Sequence, residues 1–311
     1  MPQRPLARRH ALALLSIVTL TWGLNWPVTK MIVQDIPPLW TTAVRSLIAG
    51  VVLGVLVWMK KEFVVPRRGD IPIVLSTALL HMTAYSALVA AGLQFLPAGR
   101  ATVLGYTMPI WVMIGAPLLL SERISRRKAL GVVAGLAGLG VIFSPGSLDW
   151  SDRQTLIGSG LVMLAALCWA AHIIYVRAHK WVSSPFQLVF WQVLLACVVL
   201  TPAAALYEGI PDIAWTPGLV GLLLFSGIAA SGLAHWAMTV VNRNLPAMTT
   251  SLGLLATPAL GIASGIALLG EPFEPSLLVA LVLLVGGIAI GIVGDAQEER
   301  AARGSPQRRA D

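Results

Sequence analysis

The chain has 311 residues, of which 57% are hydrophobic and 12% are charged, and its mean hydropathy is +0.79. A soluble domain of this length cannot bury so much apolar surface, so the composition excludes a water-soluble fold and predicts a protein embedded in a lipid bilayer. The formal net charge is +8. The basic residues are scattered over many short loops and form no basic face, which argues against nucleic acid as a partner.

Ten apolar segments are long enough to cross a bilayer as helices, which requires about 20 residues each. The first follows a basic start that resembles a signal peptide. Its apolar run continues past Trp22 without a small-residue cleavage site, so it is predicted to be a membrane helix. The predicted spans lie near residues 11–31, 38–58, 71–95, 98–120, 127–144, 156–177, 184–207, 217–240, 247–269 and 275–294.

Lysine and arginine cluster on one side of these spans. They are frequent at both termini and in the loops after spans two, four, six and eight, whereas the opposite loops carry mostly acids. The positive-inside rule then places both termini in the cytoplasm of a multi-pass protein of the cell membrane (inner or plasma membrane). Since each half contains five spans, an odd number, the second half is inverted relative to the first.

One pattern occurs twice, and each of its members is displaced by the same 149 positions. The members are Pro97-Ala98, Pro109 and Glu122 in the first copy and Pro246-Ala247, Pro258 and Glu271 in the second. A repeat of this length in apolar sequence predicts two copies of one membrane bundle, with a pseudo-symmetric interface at the centre where secondary transporters bind their substrate.

The predicted fold class is therefore an all-α integral membrane protein with ten transmembrane helices in two inverted five-helix repeats. The predicted domains are a cytoplasmic N-terminus (1–10), repeat one (11–144), an external loop (145–155), repeat two (156–294) and a cytoplasmic tail (295–311). The tail is polar and charged, and it is expected to be disordered.

Local motifs resemble those of the EamA family of the drug/metabolite transporter superfamily over residues 11–294. In the first half they are Trp22-Gly23-Leu24-Asn25-Trp26 with Lys30, Pro37-Pro38 with Arg45, and Leu120-Ser121-Glu122-Arg123 followed by the Gly-rich residues 130–140. The second copy matches more weakly: Trp169 corresponds to Trp22, but Ala170-Ala171-His172 replaces Gly-x-Asn. The resemblance implies ten helices in two inverted units and the transport of small metabolites, without naming the metabolite.

Several polar residues are candidates for a substrate cavity. Arg45 lies about seven residues into helix two, about 9 Å deep at 1.5 Å per residue. A guanidinium at that depth faces a cavity or backbone carbonyls, or its side chain reaches back to the interface. Asn25 shares one helix face with Trp22 and Thr29. That face lines either a cavity or an interhelical contact. Lys30 ends helix one and is expected at the interface.

Histidine and aromatic residues mark further polar faces. His81 and Tyr85 share a face of helix three, His172 and Trp169 a face of helix six, and His235 lies in helix eight; Tyr106 in helix four could stack on a substrate. A buried histidine is either a hydrogen-bonded packing residue or part of a cavity. No pair has the spacing of metal ligands, so neither a metal nor a cofactor is expected.

Pro109 and Pro258 lie near the middle of helices four and nine, where a proline bends a helix and serves either as a hinge or as a static kink. Glu122 and Glu271 end their helices on opposite sides of the membrane. Each is expected to satisfy free amides at the start of the next helix, with a gate as the alternative. The small-residue stripes that begin at Gly50, Gly131, Gly261 and Gly287 predict close helix packing or a dimer face, so monomer and homodimer both stay open.

No aspartate or glutamate lies in the middle of a span. Exporters of lipophilic cations usually need a membrane carboxylate, so its absence favours neutral, zwitterionic or anionic solutes. The sequence thus predicts a secondary transporter, most simply an exporter of amino acids or related metabolites, that works by alternating access. Proton coupling, if any, would use histidine. The alternative is multidrug efflux. The motifs of intramembrane enzymes are absent, so an enzyme is not expected.

Overall fold

The structure, a computed structural model, describes residues 7–120, 125–145, 147 and 149–304, apart from the side chains of residues 247 and 294–304. The predicted site residue Glu122 lies outside the described residues. Ten helical spans follow one another along the described chain. They are α1 (Arg8–Asp35), α2 (Pro38–Met59), α3 (Ile71–Leu93), α4 (Ala98–Gly105 and Met108–Leu120), α5 (Arg126–Ile142), α6 (Arg153–Ala178), α7 (Pro185–Tyr207), α8 (Pro217–Asn244), α9 (Ala247–Leu254 and Thr257–Leu269) and α10 (Pro275–Gly304).

Nine of these described spans are long and apolar enough to cross a membrane, and α5 is a shorter helix of 17 residues. The protein is an all-α membrane protein with ten helices in two inverted five-helix repeats, which confirms the predicted fold class. The predicted helix ends differ most at the termini. Helix α1 already begins at Arg8, and α10 continues to Gly304 although disorder was predicted from residue 295. Residues 295–304 are rich in Ala, Gln, Glu and Arg, which favour helix even when they are polar.

Four helices are interrupted near their middle, at equivalent places in the two repeats. Helices α3 and α8 contain π-helical segments, Thr77–Tyr85 and Phe225–Leu233. Helices α4 and α9 are broken at residues 106–107 and 255–256. The breaks follow from Pro109 and Pro258, which have no N–H for the carbonyl four residues earlier. Those carbonyls belong to Gly105 and Leu254, where the first helical segments end.

Helices α5 and α10, one from each repeat, pack through glycine. A Cβ on Gly131 would lie 2.4 Å from the carbonyl oxygen of Gly287, and a Cβ on Gly287 would lie 2.5 Å from that of Gly131. The stripe that begins at Gly50 contacts α7, and Gly261 contacts Thr102 of α4. All four stripes therefore pack helices within the bundle, where the absence of a side chain allows the backbones to approach.

Carboxylates in two loops, the one that follows α7 and the one between α2 and α3, join the two repeats. Glu208, directly after α7, accepts hydrogen bonds from the amides of Leu39 (3.0 Å) and Trp40 (3.1 Å) in the first turn of α2. Asp70, between α2 and α3, accepts from the amide (3.0 Å) and the hydroxyl (2.8 Å) of Ser183, in the segment that leads into α7. Each loop therefore holds the start of a helix in the opposite repeat, as inverted symmetry requires.

The glycine contact between α5 and α10 predicts a stability difference between two neighbouring glycines. A Cβ at Gly287 would meet the backbone of Gly131 and Gly135, whereas a Cβ at Gly286 meets nothing within 4 Å. Gly287→Ala should therefore destabilise the protein by about 1–3 kcal/mol, the usual cost of overpacking. Gly286→Ala is the matched control. Thermal unfolding in detergent measures both, and equal midpoints for the two variants would contradict the packing.

The contact between Asp70 and Ser183 predicts a pH dependence. Burial acts to raise the pKa of the Asp70 carboxyl, but hydrogen bonds from Ser183 and Arg67 outweigh it and hold the pKa below its ordinary value. A carboxyl whose pKa is lowered by folding stabilises the protein above its unfolded pKa, and that contribution is lost as the pH falls through the folded pKa. Asp70→Asn should lower the thermal midpoint most near pH 7, and the gap to the native protein should narrow below about pH 4. A gap that stays constant from pH 7 to pH 3 would contradict this account.

Candidate functional site

A cavity of about 120 Å³ lies between the two repeats, in the region where helices α3 and α8 are π-helical. It is lined by eight of the nine residues predicted to form a substrate cavity. They are Trp22, Asn25, Arg45, His81, Tyr85, Tyr106, Trp169 and His235. The ninth, His172, lies behind the lining and stacks on His81, with ring centroids 5.3 Å apart and ring planes 2° from parallel. Helices α1, α2, α3, α4, α6 and α8 thus bring one cluster together from distant parts of the chain.

Aromatic and imidazole rings form a continuous wall in this cavity. The Trp169 ring lies 5.2 Å from His81, 4.7 Å from Tyr85 and 6.3 Å from Tyr106. His235 continues the wall, 6.0 Å from His81 and 5.7 Å from Trp22. Tilted and stacked rings at these distances attract one another, and together they offer both apolar faces and polar edges to a solute.

Polar contacts hold α1 against the π-helical part of α8. The Ser226 hydroxyl donates to Asn25 Oδ1 (2.8 Å), and Trp22 Nε1 donates to the carbonyl of Ala230 (3.0 Å). Asn25 and Trp22 therefore line the cavity and also bridge two helices, so both alternatives left open by the sequence apply. Thr29, on the same face of α1, also lines the cavity.

Arg45 lies in the lining with 9% of its surface exposed. A cavity was one of the three environments that the sequence left open for this side chain. Trp26 and Ser46 also line the cavity, and neither was predicted as a site residue. Helical spacing could have identified Trp26, which follows Trp22 by one turn, whereas Ser46 has no such signal.

A second, larger cavity of about 900 Å³ adjoins the first, and we call it the vestibule. It shares Trp22, Tyr106 and Trp169 with the central cavity. Its outer lining includes Lys128 at the start of α5, Arg177 at the end of α6 and Met248 at the start of α9. These helix ends lie on the side that the charge pattern assigns to the cytoplasm. Pro109 lines the vestibule, whereas Pro258 is buried.

On the side that the charge pattern assigns to the exterior, a group of contacts that we call the external latch joins the two repeats. Glu271 accepts hydrogen bonds from the amides of Ala98 and Gly99 (3.0 Å for Gly99), the first residues of α4. Lys30 lies 3.6 Å from Glu271 and donates to the carbonyl of Leu96. Arg100 pairs with Glu274 at 2.9 Å and also donates to the carbonyl of Ser147. A carboxylate at the positive end of a helix is favourable, which stabilises this contact between the repeats.

The latch corrects one prediction. Glu271 was expected to serve the helix that follows it, but it binds the start of α4 in the other repeat, because inversion places the α9–α10 loop beside that helix. The location of Lys30 at the membrane interface stays a prediction, and the structure adds that Lys30 forms an ion pair with Glu271. Gly265 leaves room for this geometry, since a Cβ there would lie 2.6 Å from Glu271 Oε2.

Comparison with known proteins agrees with this architecture. The model of the EamA-like transporter family matches residues 10–144 and 156–293. The chain is 28% identical to an uncharacterized transporter, YoaV, of Bacillus subtilis over 87% of this chain and 92% of the relative. It is 26% identical to a probable amino-acid metabolite efflux pump of Salmonella typhimurium over 89% and 93%. One solved crystal structure superposes with a TM-score of 0.66 at 18% identity, covering 94% of this chain and all of that one, which supports the fold alone.

Proposed function

The chain belongs to the EamA-like transporter family, and on this basis we propose that it is a secondary transporter that exports a small metabolite across the cell membrane by alternating access. The proposed solute is an amino acid or a related neutral, zwitterionic or anionic molecule. The observation that carries this proposal is the central cavity, which combines Arg45 with neutral polar and aromatic side chains. Among the described lining residues there is no carboxylate.

The chemistry of the lining bears on the choice between metabolites and lipophilic cations. A cation inside a membrane protein needs a negative partner, because the surroundings do not solvate its charge. The described acids cluster outside the cavity, at helix ends such as those of Glu208 and Glu271, where backbone amides already occupy them. This distribution favours solutes that carry no net positive charge. The relative in Salmonella typhimurium, named as a probable amino-acid metabolite efflux pump, supports the same choice of solute.

The arrangement of openings supports an alternating-access cycle. The central cavity adjoins the vestibule on the proposed cytoplasmic side, while the external latch covers the other side. In this orientation, with both termini in the cytoplasm, the structure corresponds to an inward-facing state. Release to the outside then requires Glu271 to leave the start of α4. We propose that α4 and α9 bend at their breaks beside Pro109 and Pro258 during this step.

Export is tested by comparing solute pools of cells with and without the protein. Cells that express it should lower their internal level, and raise the external level, of at least one amino acid or related acid. They should also tolerate toxic amino-acid analogues better. Ser231→Phe, which places a bulky ring in the cavity lining, should abolish the difference while the protein is still made. Protection against cationic dyes alone would instead support multidrug efflux and refute the proposal.

The external latch is tested by access to the cavity from outside. Thr29→Cys, in a background in which Cys168 and Cys197 are replaced by serine, places a thiol in the cavity lining. Loss of a charge at a helix N-terminus costs the closed state about 1–2 kcal/mol, so Glu271→Gln should speed labelling by an external, membrane-impermeant reagent about 5- to 30-fold.

The control for this experiment is Asp149→Asn, which removes an exposed carboxylate whose hydrogen bonds stay within its own loop. This variant should label at the native rate. Equal labelling of the native protein and Glu271→Gln would mean that the latch does not limit access from outside.

A further inference from the structure

Arg45 brings a permanent positive charge into the membrane-spanning part of the protein. It lies in α2, and its guanidinium cannot lose its proton at physiological pH. Such a charge is costly at this depth, and it is tolerated where a partner or a water-filled space receives it. Arg45 is nine-tenths buried, and the space it faces is the central cavity.

No described residue forms an ion pair with Arg45 or accepts a side-chain hydrogen bond from its guanidinium. The described ion pairs lie at the external latch. The side chains that interact electrostatically with Arg45 are those of Tyr85, His81 and His235, which line the same cavity. None of the Arg45 nitrogen atoms is among those that are fully buried without a hydrogen-bond partner, whereas Arg100 Nε is. The hydrogen-bond donors of Arg45 are therefore available to a solute in the cavity.

We infer that Arg45 binds the carboxylate group of the transported solute, which makes small carboxylates, amino acids among them, the substrate class of this transporter. The inference rests on the proposed function and deepens it. A guanidinium presents two parallel N–H groups that match the two oxygens of a carboxylate. One permanent charge in the lining matches one negative charge on the solute, so a monoanionic group fits better than a doubly charged phosphate.

The rest of the lining suits the remainder of such a solute. The rings of Trp22, Trp169 and Tyr106 offer apolar surface to a side chain, and their faces attract an ammonium group. The volume of about 120 Å³ restricts the solute to a small molecule. An α-amino acid and the corresponding 2-oxo acid share the carboxylate and differ in the ammonium group, so the two can be separated by experiment.

The test uses the full-length protein in proteoliposomes. One set is loaded with L-amino acids, a second with the corresponding carboxamides and a third with 2-oxo acids, and efflux is followed by mass spectrometry. We expect the native protein to release a subset of the acids at least about tenfold faster than their carboxamides. Arg45→Gln should lose this release, and Arg45→Lys should retain part of it, since lysine keeps the charge but not the fork. Comparison of the first and third sets shows whether the ammonium group is also recognised.

Thermal stability separates a binding role from a structural one. Arg45→Gln should leave the midpoint of unfolding unchanged or raise it, because the change breaks no described side-chain hydrogen bond or ion pair and relieves the cost of a buried charge. Arg100→Gln, which breaks the ion pair with Glu274, should lower the midpoint. A fall in Arg45→Gln as large as that in Arg100→Gln would show that Arg45 is structural and would overturn the inference.

The outcomes also separate this inference from the proposed function. Release of carboxamides as fast as acids, or unchanged release by Arg45→Gln, would overturn the role of Arg45 and leave the exporter standing. A native protein that releases none of the three sets would refute the proposed export of small metabolites, and the inference would fall with it.

Discussion

Backbone amides and carbonyls inside a bilayer have no water to bind, and this constraint governs where the helices of this protein are interrupted. Irregular backbone at membrane depth is tolerated only where it is buried in protein or lines a cavity. The breaks in α4 and α9 and the π-helical segments of α3 and α8 obey this rule. Tyr106, His81, Tyr85 and Ser231, which lie in or beside these segments, all line the central cavity.

The same constraint applies at helix ends, where the first amides of a helix have no partner within it. In this protein carboxylates from the opposite repeat supply several of those partners. Glu208 binds the start of α2, and Glu271 binds the start of α4. An interaction that satisfies one repeat therefore also ties it to the other. Because such contacts lie at helix ends, they can separate without disturbing the packed core, as the proposed transport cycle requires.

The sequence predicts most of this architecture, because apolar span length, loop charge and the repeated proline motif each reflect a strong physical requirement. Eight of the nine residues that it offers as cavity candidates line the central cavity, since polar residues such as Asn25, Arg45 and His81 are rare within membrane helices and have to face one another or a water-filled space. Pro109 and Pro258 likewise mark the breaks in α4 and α9.

Other features depend on tertiary contacts that no local pattern encodes. Nothing in the residues of Thr77–Tyr85 distinguishes a π-helical segment from an α-helix. The partner of Glu271 is more than 170 positions away, in the amides at Ala98 and Gly99, so the sequence pointed to the nearer helix. The ion pair between Lys30 and Glu271 also joins distant parts of the chain, so no local pattern predicts it. The sequence does not predict the helical continuation of α10 to Gly304, because polar and charged residues occur both in disordered tails and in exposed helices.

Alternating access requires that one cavity between the two inverted repeats opens to each side of the membrane in turn. Spin labels at exposed positions test this most directly in lipid nanodiscs, with Gln94 and Phe273 as the external pair and Arg127 and Arg243 as the cytoplasmic pair. Electron paramagnetic resonance distances are measured with and without the exported solute. We expect the solute to lengthen the external distance and shorten the cytoplasmic one within the same population. Distances that stay fixed, or that lengthen together, would contradict it.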